Sequence, residues 1–191
     1  MVNRKIEVVG MDPSLRNFGL VKATIDLENL TVDVYKMDLA KSENGVKKTK
    51  TVRKNSDDLD RAKHIQEAMI AACEGAAFAF VEVPVGSQSA RAMASYGICV
   101  GVLSSCPIPM IQVTPVEVKV AGTGIKTATK DEMIEAAVQW QPGAPWLTRK
   151  LKGEIQMIGD NEHLADACFA IKAGMATPEF KSILNTLKIL R

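Results

Sequence analysis

The stretch VVGMDPSLRNFGLV, residues 8–21, decides how this chain folds. It runs apolar, turns through Pro13, Ser14 and Asn17, and goes straight back to apolar sequence. Residues 5–11 and 18–27 therefore read as two strands joined by a short turn. Asp12 stands at the exit of the first strand. Aspartate is a poor strand residue and is rarely buried unless it is paired or holds a metal. A turn-forming Asp needs no further explanation, so the meaning of Asp12 depends on whether other acids are aimed at the same place.

Working outward, TVDVYKMDL, residues 31–39, is a third strand with Val32 and Val34 on one face, reached through a Glu28–Asn29 turn. The short connections imply an antiparallel meander. Residues 41–55, KSENGVKKTKTVRKN, carry Lys41, Lys47, Lys48, Lys50, Arg53 and Lys54 against the single acid Glu43. This is a loop or exposed hairpin, either a solvated insertion or a basic arm for phosphate. Leu59, Ala62, Ile65, Met69 and Ala72 recur at helical spacing, predicting a helix over 57–73 capped by Ser56 or Asp57 and ended by Gly75. Residues 77–85 form a buried strand that nevertheless carries Glu82, and 88–104 form a helix with a small-residue face of Ala90, Ala94, Gly97 and Gly101. A strand follows at 109–115. Thr114-Pro115-Val116-Glu117 and Thr129-Lys130-Asp131-Glu132 each read as a capped helix start. Residues 141–159 read as a loop, Asp160 as the cap of a helix running to about Ala173, and Thr177-Pro178 as the start of a terminal helix.

The order predicts an α/β fold: a mixed central sheet, three antiparallel strands then parallel ones, flanked by helices. The 191 residues suit one domain with a small addition, here a domain over 1–176 with the basic insertion at 41–55 and a helical extension over 177–191. Hydrophobic residues at 47% and charged residues at 24% are those of an ordinary globular protein, and a net charge of +2 does not by itself demand a nucleic-acid partner. No apolar run of ~18 residues and no leader pattern occur, so the expectation is no membrane association and a cytoplasmic location. The scattered Cys73, Cys99, Cys106 and Cys168 fit reduced thiols, and two histidines exclude a His-rich metal centre.

Asp12 has company. Glu82 sits among Ala79, Val81, Val83 and Val85, and His163 and Asp166, three apart, share one helix face. Ala167 and Ala170 continue that face, which is small enough to lie close on a sheet. If the first and fourth strands are neighbours, Asp12 and Glu82 end side by side. Carboxylates cannot stay ionised together in a dry cleft without a cation. An oxygen-rich site suits Mg²⁺ or Mn²⁺, and two ions ~4 Å apart would serve phosphodiester hydrolysis.

These blocks resemble the RuvC-type Holliday junction resolvases, members of the RNase H-like superfamily. VVGMDPSLRNFGLV is similar to that family's first-strand motif, and FAFVEVPVGSQSARAMASYGICVGVL to its block of a Glu-ended strand and a small-residue helix. VTPVEVKVAGTGIKTATKDEMIEAA resembles its lysine-bearing segment, and HLADACFAI its last motif. The resemblance spans roughly residues 5–174. It implies an RNase H-like fold, a homodimer, and nicking of four-way junctions or related branched DNA with two Mg²⁺ or Mn²⁺ ions per site. It would place Asp12, Glu82, His163 and Asp166 at the metals, with Asp160 or Glu162 as further ligand candidates. Lys119 and Lys130 would lie near the scissile phosphate, Lys130 in a catalytic role, where fixed positive charge favours the developing oxyanion. Lys47, Lys48, Lys50, Arg53, Lys119, Lys126 and Lys130 are the expected DNA contacts, and an intracellular, nucleoid-associated location follows. Two departures stand out. Ser14 replaces the usual glycine, and Val83-Pro84-Val85-Gly86 lacks the aromatic residue that often follows the glutamate. The residues leave other readings open: a flap or RNA–DNA hybrid nuclease, a non-catalytic junction-binding protein, or an actin-like nucleotide binder, which would need a second glycine-rich phosphate loop that the chain lacks.

Overall fold

The computed structural model describes residues 5–42, 54–151 and 153–189. Lys47, Lys48, Lys50 and Arg53 of the expected basic arm lie outside them. Among the described residues, five strands form one sheet in the order β3-β2-β1-β4-β5. β1 (Lys5–Asp12), β2 (Asn17–Asp26) and β3 (Val32–Lys41) make the antiparallel meander. β4 (Phe78–Glu82) lies parallel to β1, and β5 (Met110–Val113) parallel to β4. The Ser14 hydroxyl closes the β1–β2 turn, donating to the Asn17 carbonyl at 2.8 Å and accepting from the Asn17 N–H at 3.0 Å.

Strand alternation divides the core into two layers. Val8, Phe78, Phe80, Ile111 and Val113 face α5 (Asn161–Met175), α3 (Pro115–Thr123), α4 (Lys130–Trp140) and α6 (Pro178–Ile189). Val9, Met11, Ala79 and Val81 face α1 (Lys54–Cys73) and α2 (Ala90–Leu103). The α5 layer is tight because glycines admit it. A Cβ on Gly10 would lie 2.1 Å from the Ala167 carbonyl oxygen, and one on Gly174 would lie 2.0 Å from the Phe80 ring. α6 closes this layer by seating Phe180 against Phe78 and Phe80. Both capping boxes form, with the Thr114 and Thr129 hydroxyls accepting from the N–H of Glu117 and Glu132.

Several expectations are corrected. Residues 141–159 are not all loop: β6 (Thr148–Leu151) and β7 (Glu154–Met157) pair as an antiparallel hairpin, turned by Gly153 at φ +92°. Its residues are exposed on both faces, so no buried face drives an apolar alternation. Buried Asn161 anchors its base, accepting from the Leu147 N–H at 2.9 Å and donating to the Leu147 carbonyl at 2.8 Å. Asp160 makes no side-chain cap; its carboxylate instead takes the Lys41 ammonium. α1 begins at Lys54, so Ser56 and Asp57 lie inside its first turn rather than capping it. Leu59 is 55% exposed, and the inner side of that turn holds Asp58 and Arg61 instead. β4 ends at Glu82, which therefore stands at a strand exit and not within one.

Candidate active site

The parallel register pairs Met11 with Val81, so the next residues along β1 and β4 are Asp12 and Glu82. Alternation turns both toward the α5 layer, because Val8 and Gly10 precede Asp12, and Phe78 and Phe80 precede Glu82, on that face. α5 then brings His163 and Asp166 to the same end of the sheet. Its approach is set at Gly19, the ladder partner of Asp12, which lies directly under the His163 backbone.

The result is a cleft of about 250 Å³ lined in part by Asp12, Lys119, Lys130, Glu162, His163 and Asp166. His163 Nδ1 lies 2.7 Å from Asp12 Oδ2, and its Nε2 lies 3.4 Å from Glu162 Oε1. Lys130 Nζ meets Glu162 Oε2 at 2.6 Å. Lys119 Nζ donates to the Ala128 carbonyl at 2.9 Å, which holds the ammonium at the cleft wall. Glu162, a doubtful candidate in the sequence, is thus the link between His163 and Lys130. Its signal was its position one residue before His163.

The electrostatics are those of acids crowded out of water. Burial, then the charges of Asp12 and Asp166, pushes the Glu82 carboxyl up to about 8. Burial, then Asp12, pushes Asp166 up to about 7. Burial pulls the His163 imidazole down, but its hydrogen bond to Asp12 and the surrounding carboxylates outweigh this, so its pKa is raised. The Lys130 ammonium is held more firmly protonated by Glu162.

Among the described residues, no group of three or more His, Cys, Asp and Glu side chains is gathered closely enough to hold a metal ion. Asp12, His163 and Asp166 line the cleft without forming a closed cage, and Asp12 is engaged by His163; Glu82 is not among the lining residues, although the charges of Asp12 and Asp166 act on it. The donor set itself fits a hard divalent cation: burial and the neighbouring carboxylates raise Glu82 and Asp166 more than the Lys119 ammonium lowers them. Lys126 lies in the exposed turn between α3 and α4, outside the cleft lining.

The sheet order, the mixed strand directions and the helices on both faces define the RNase H-like fold. No protein-family model matches the sequence, and no curated protein matches it. Solved structures do match. Thermus thermophilus RuvC in complex with Holliday junction substrate superposes with a TM-score of 0.63 at 18% identity, over 93% of this chain and 96% of that one. A second Thermus thermophilus RuvC structure gives 0.59 at 19% identity, over 93% and 97%. The yeast mitochondrial Holliday junction resolvase Ydc2 gives 0.52 at 12% identity, over 94% and 85%. The fold is thus of the RuvC type along nearly the whole chain. Among the described residues, no helix is long and apolar enough to cross a membrane.

Proposed function

We propose that the protein is a metal-dependent endonuclease that cuts branched DNA, with the four-way junction as its substrate. The observation that supports this most is the meeting of Asp12, Glu82, His163 and Asp166, from two strands and one helix, beside Lys119 and Lys130. Acids in a cleft walled by lysines suit a phosphodiester, because the lysines attract the backbone while the acids accept cations.

Asp12, Glu82 and Asp166 would hold Mg²⁺ or Mn²⁺, two ions per site, with His163 beside them; when bound, the ions would activate water and stabilise the leaving oxygen. Lys119 and Lys130 would orient the scissile phosphate. Glu162 would position Lys130 through their ion pair. Lys47, Lys48, Lys50, Arg53 and Lys126 would add sequence-independent contacts to flanking phosphates. A homodimer formed through the exposed small-residue face of α2 would present two such clefts to a symmetric junction. Residues 1–176 would constitute the nuclease domain and 177–191 its C-terminal extension.

The test is incubation of the purified protein with a four-way junction, a flap and an RNA–DNA hybrid, with Mg²⁺ and with chelator. The expected result is paired nicks in the junction, lost with chelator and in Asp12→Asn. Cleavage of none of the three substrates by the wild type would overturn the proposal.

A further inference from the structure

A second hollow, about 450 Å³, opens beside the same β1–β2 turn, toward α2 rather than α5. Leu15, at its floor, belongs to the core layer of α1 and α2, whereas Asp12 faces α5. Its polar lining includes Arg16, Asn17, Ser89, Arg91, Ser95 and Tyr96.

The charges here do not balance. Arg91 grips buried Asp58 with both terminal nitrogens, at 2.5 and 2.6 Å. Arg61 pairs with Asp57 at 3.0 Å. Those two carboxylates are thereby matched by two guanidinium groups. Arg16, close enough to act on Asp58, is exposed and meets no carboxylate among the described residues. It is the surplus cation of the cluster, and the Asp58 pair keeps Arg91 fixed across the hollow from it. An exposed planar guanidinium beside a braced second one, with Tyr96 in the same lining, suits a tetrahedral oxyanion better than an apolar or cationic ligand.

We infer that this hollow binds a backbone phosphate of the DNA strand, next to the one at the acid cleft. The inference rests on the proposed nuclease reading and extends it. The six residues from Asp12 to Asn17 supply one wall of each site, so a strand lying over the turn meets both. Arg16 would make the bidentate contact, Tyr96 would donate to a free oxygen, and Arg91 would hold the local field positive.

The experiment measures binding of a fluorescent four-way junction in chelator across a salt series, for wild type, Arg16→Gln and Arg16→Lys, with thermal melts of each. Loss of one phosphate contact reduces the slope of log K against log salt by about 1. The expected result is that reduction in Arg16→Gln, an unchanged melt, and a wild-type slope with weaker binding in Arg16→Lys, which keeps the charge but not the fork. Equal slope and affinity in wild type and Arg16→Gln would overturn this inference alone. A wild type that binds no junction would overturn the nuclease reading itself. In a parallel arm, inorganic phosphate that raises the melting temperature of wild type but not of Arg16→Gln, with the DNA slope unchanged, would reassign the hollow to a free anion and overturn it as well.

Discussion

Gly19 lies opposite Asp12 in the β1–β2 ladder and beneath the backbone of His163: a Cβ there would sit 2.2 Å from the His163 carbonyl oxygen. The absence of a side chain at Gly19 therefore sets how near the start of α5 comes to Asp12. Gly19→Ala is expected to push that end of α5 away, costing about 1–3 kcal/mol as an overpacking change and lengthening the 2.7 Å Asp12–His163 contact. Chemical denaturation would measure the cost. Gly143→Ala, where an added Cβ meets nothing within 4 Å, is the neutral control.

The His163 imidazole is held above its ordinary pKa against the pull of its own burial, by the hydrogen bond and charge of Asp12. Asp12→Asn is expected to lower it. A histidine raised in the folded state adds stability that is complete below its unfolded pKa and is lost as pH rises through the folded value. Asp12→Asn should therefore lose more stability at acidic than at alkaline pH. Imidazole NMR titration of His163 in both proteins measures the shift directly.

Glu82 and Asp166 depend on pH in the same direction, as a cost at high pH rather than a gain at low pH. With carboxyls pushed up to about 8 and about 7, they keep protons in the folded state that the unfolded chain has already released. Without metal, folding stability should fall as pH rises from near the ordinary carboxylate range through these values. Glu82→Gln should flatten that decline. Added Mg²⁺ or Mn²⁺ should raise the melting temperature of wild type at pH 8 and do so less in Glu82→Gln, as read by differential scanning calorimetry with and without chelator.

Asp58 behaves as an ordinary paired acid. The two Arg91 hydrogen bonds hold its carboxyl below the usual range, against the effect of burial. It contributes stability above the unfolded carboxylate pKa, and this is lost as pH falls through its folded value. Asp58→Asn is expected to cost about 1.5–3 kcal/mol near neutrality, the range for hydrogen bonds to a charged group, and to blunt acid denaturation. Melting curves at pH 3 and pH 7 on both proteins would check this.

Much of the architecture could be read from residue order. Apolar runs separated by turn residues marked the meander and the parallel strands, and the two Thr-x-x-Glu boxes marked α3 and α4. The common destination of Asp12, Glu82, His163 and Asp166 was legible because strand alternation and helical spacing are fixed periods. The β6–β7 hairpin was not, since an element with no buried face leaves little hydrophobic pattern. Nor was the Asp58–Arg91 pair: its partners sit on different helices, and helical periodicity within α1 assigns a charged residue to the outside. Gly10 and Gly19 were a missed signal, since a glycine inside a strand often marks a close backbone approach. Glu162 was hard to rank because a charge in the first turn of a helix has an ordinary role there.

Asp12 and His163 touch across 151 positions of chain. During synthesis, Asp12 is made well before His163, so β1 waits for α5. A polypeptide halted after β5 owns all five strands of the main sheet, yet lacks α5 and with it His163 and Asp166. The cleft itself is therefore assembled only when α5 is laid down over β1 and β2.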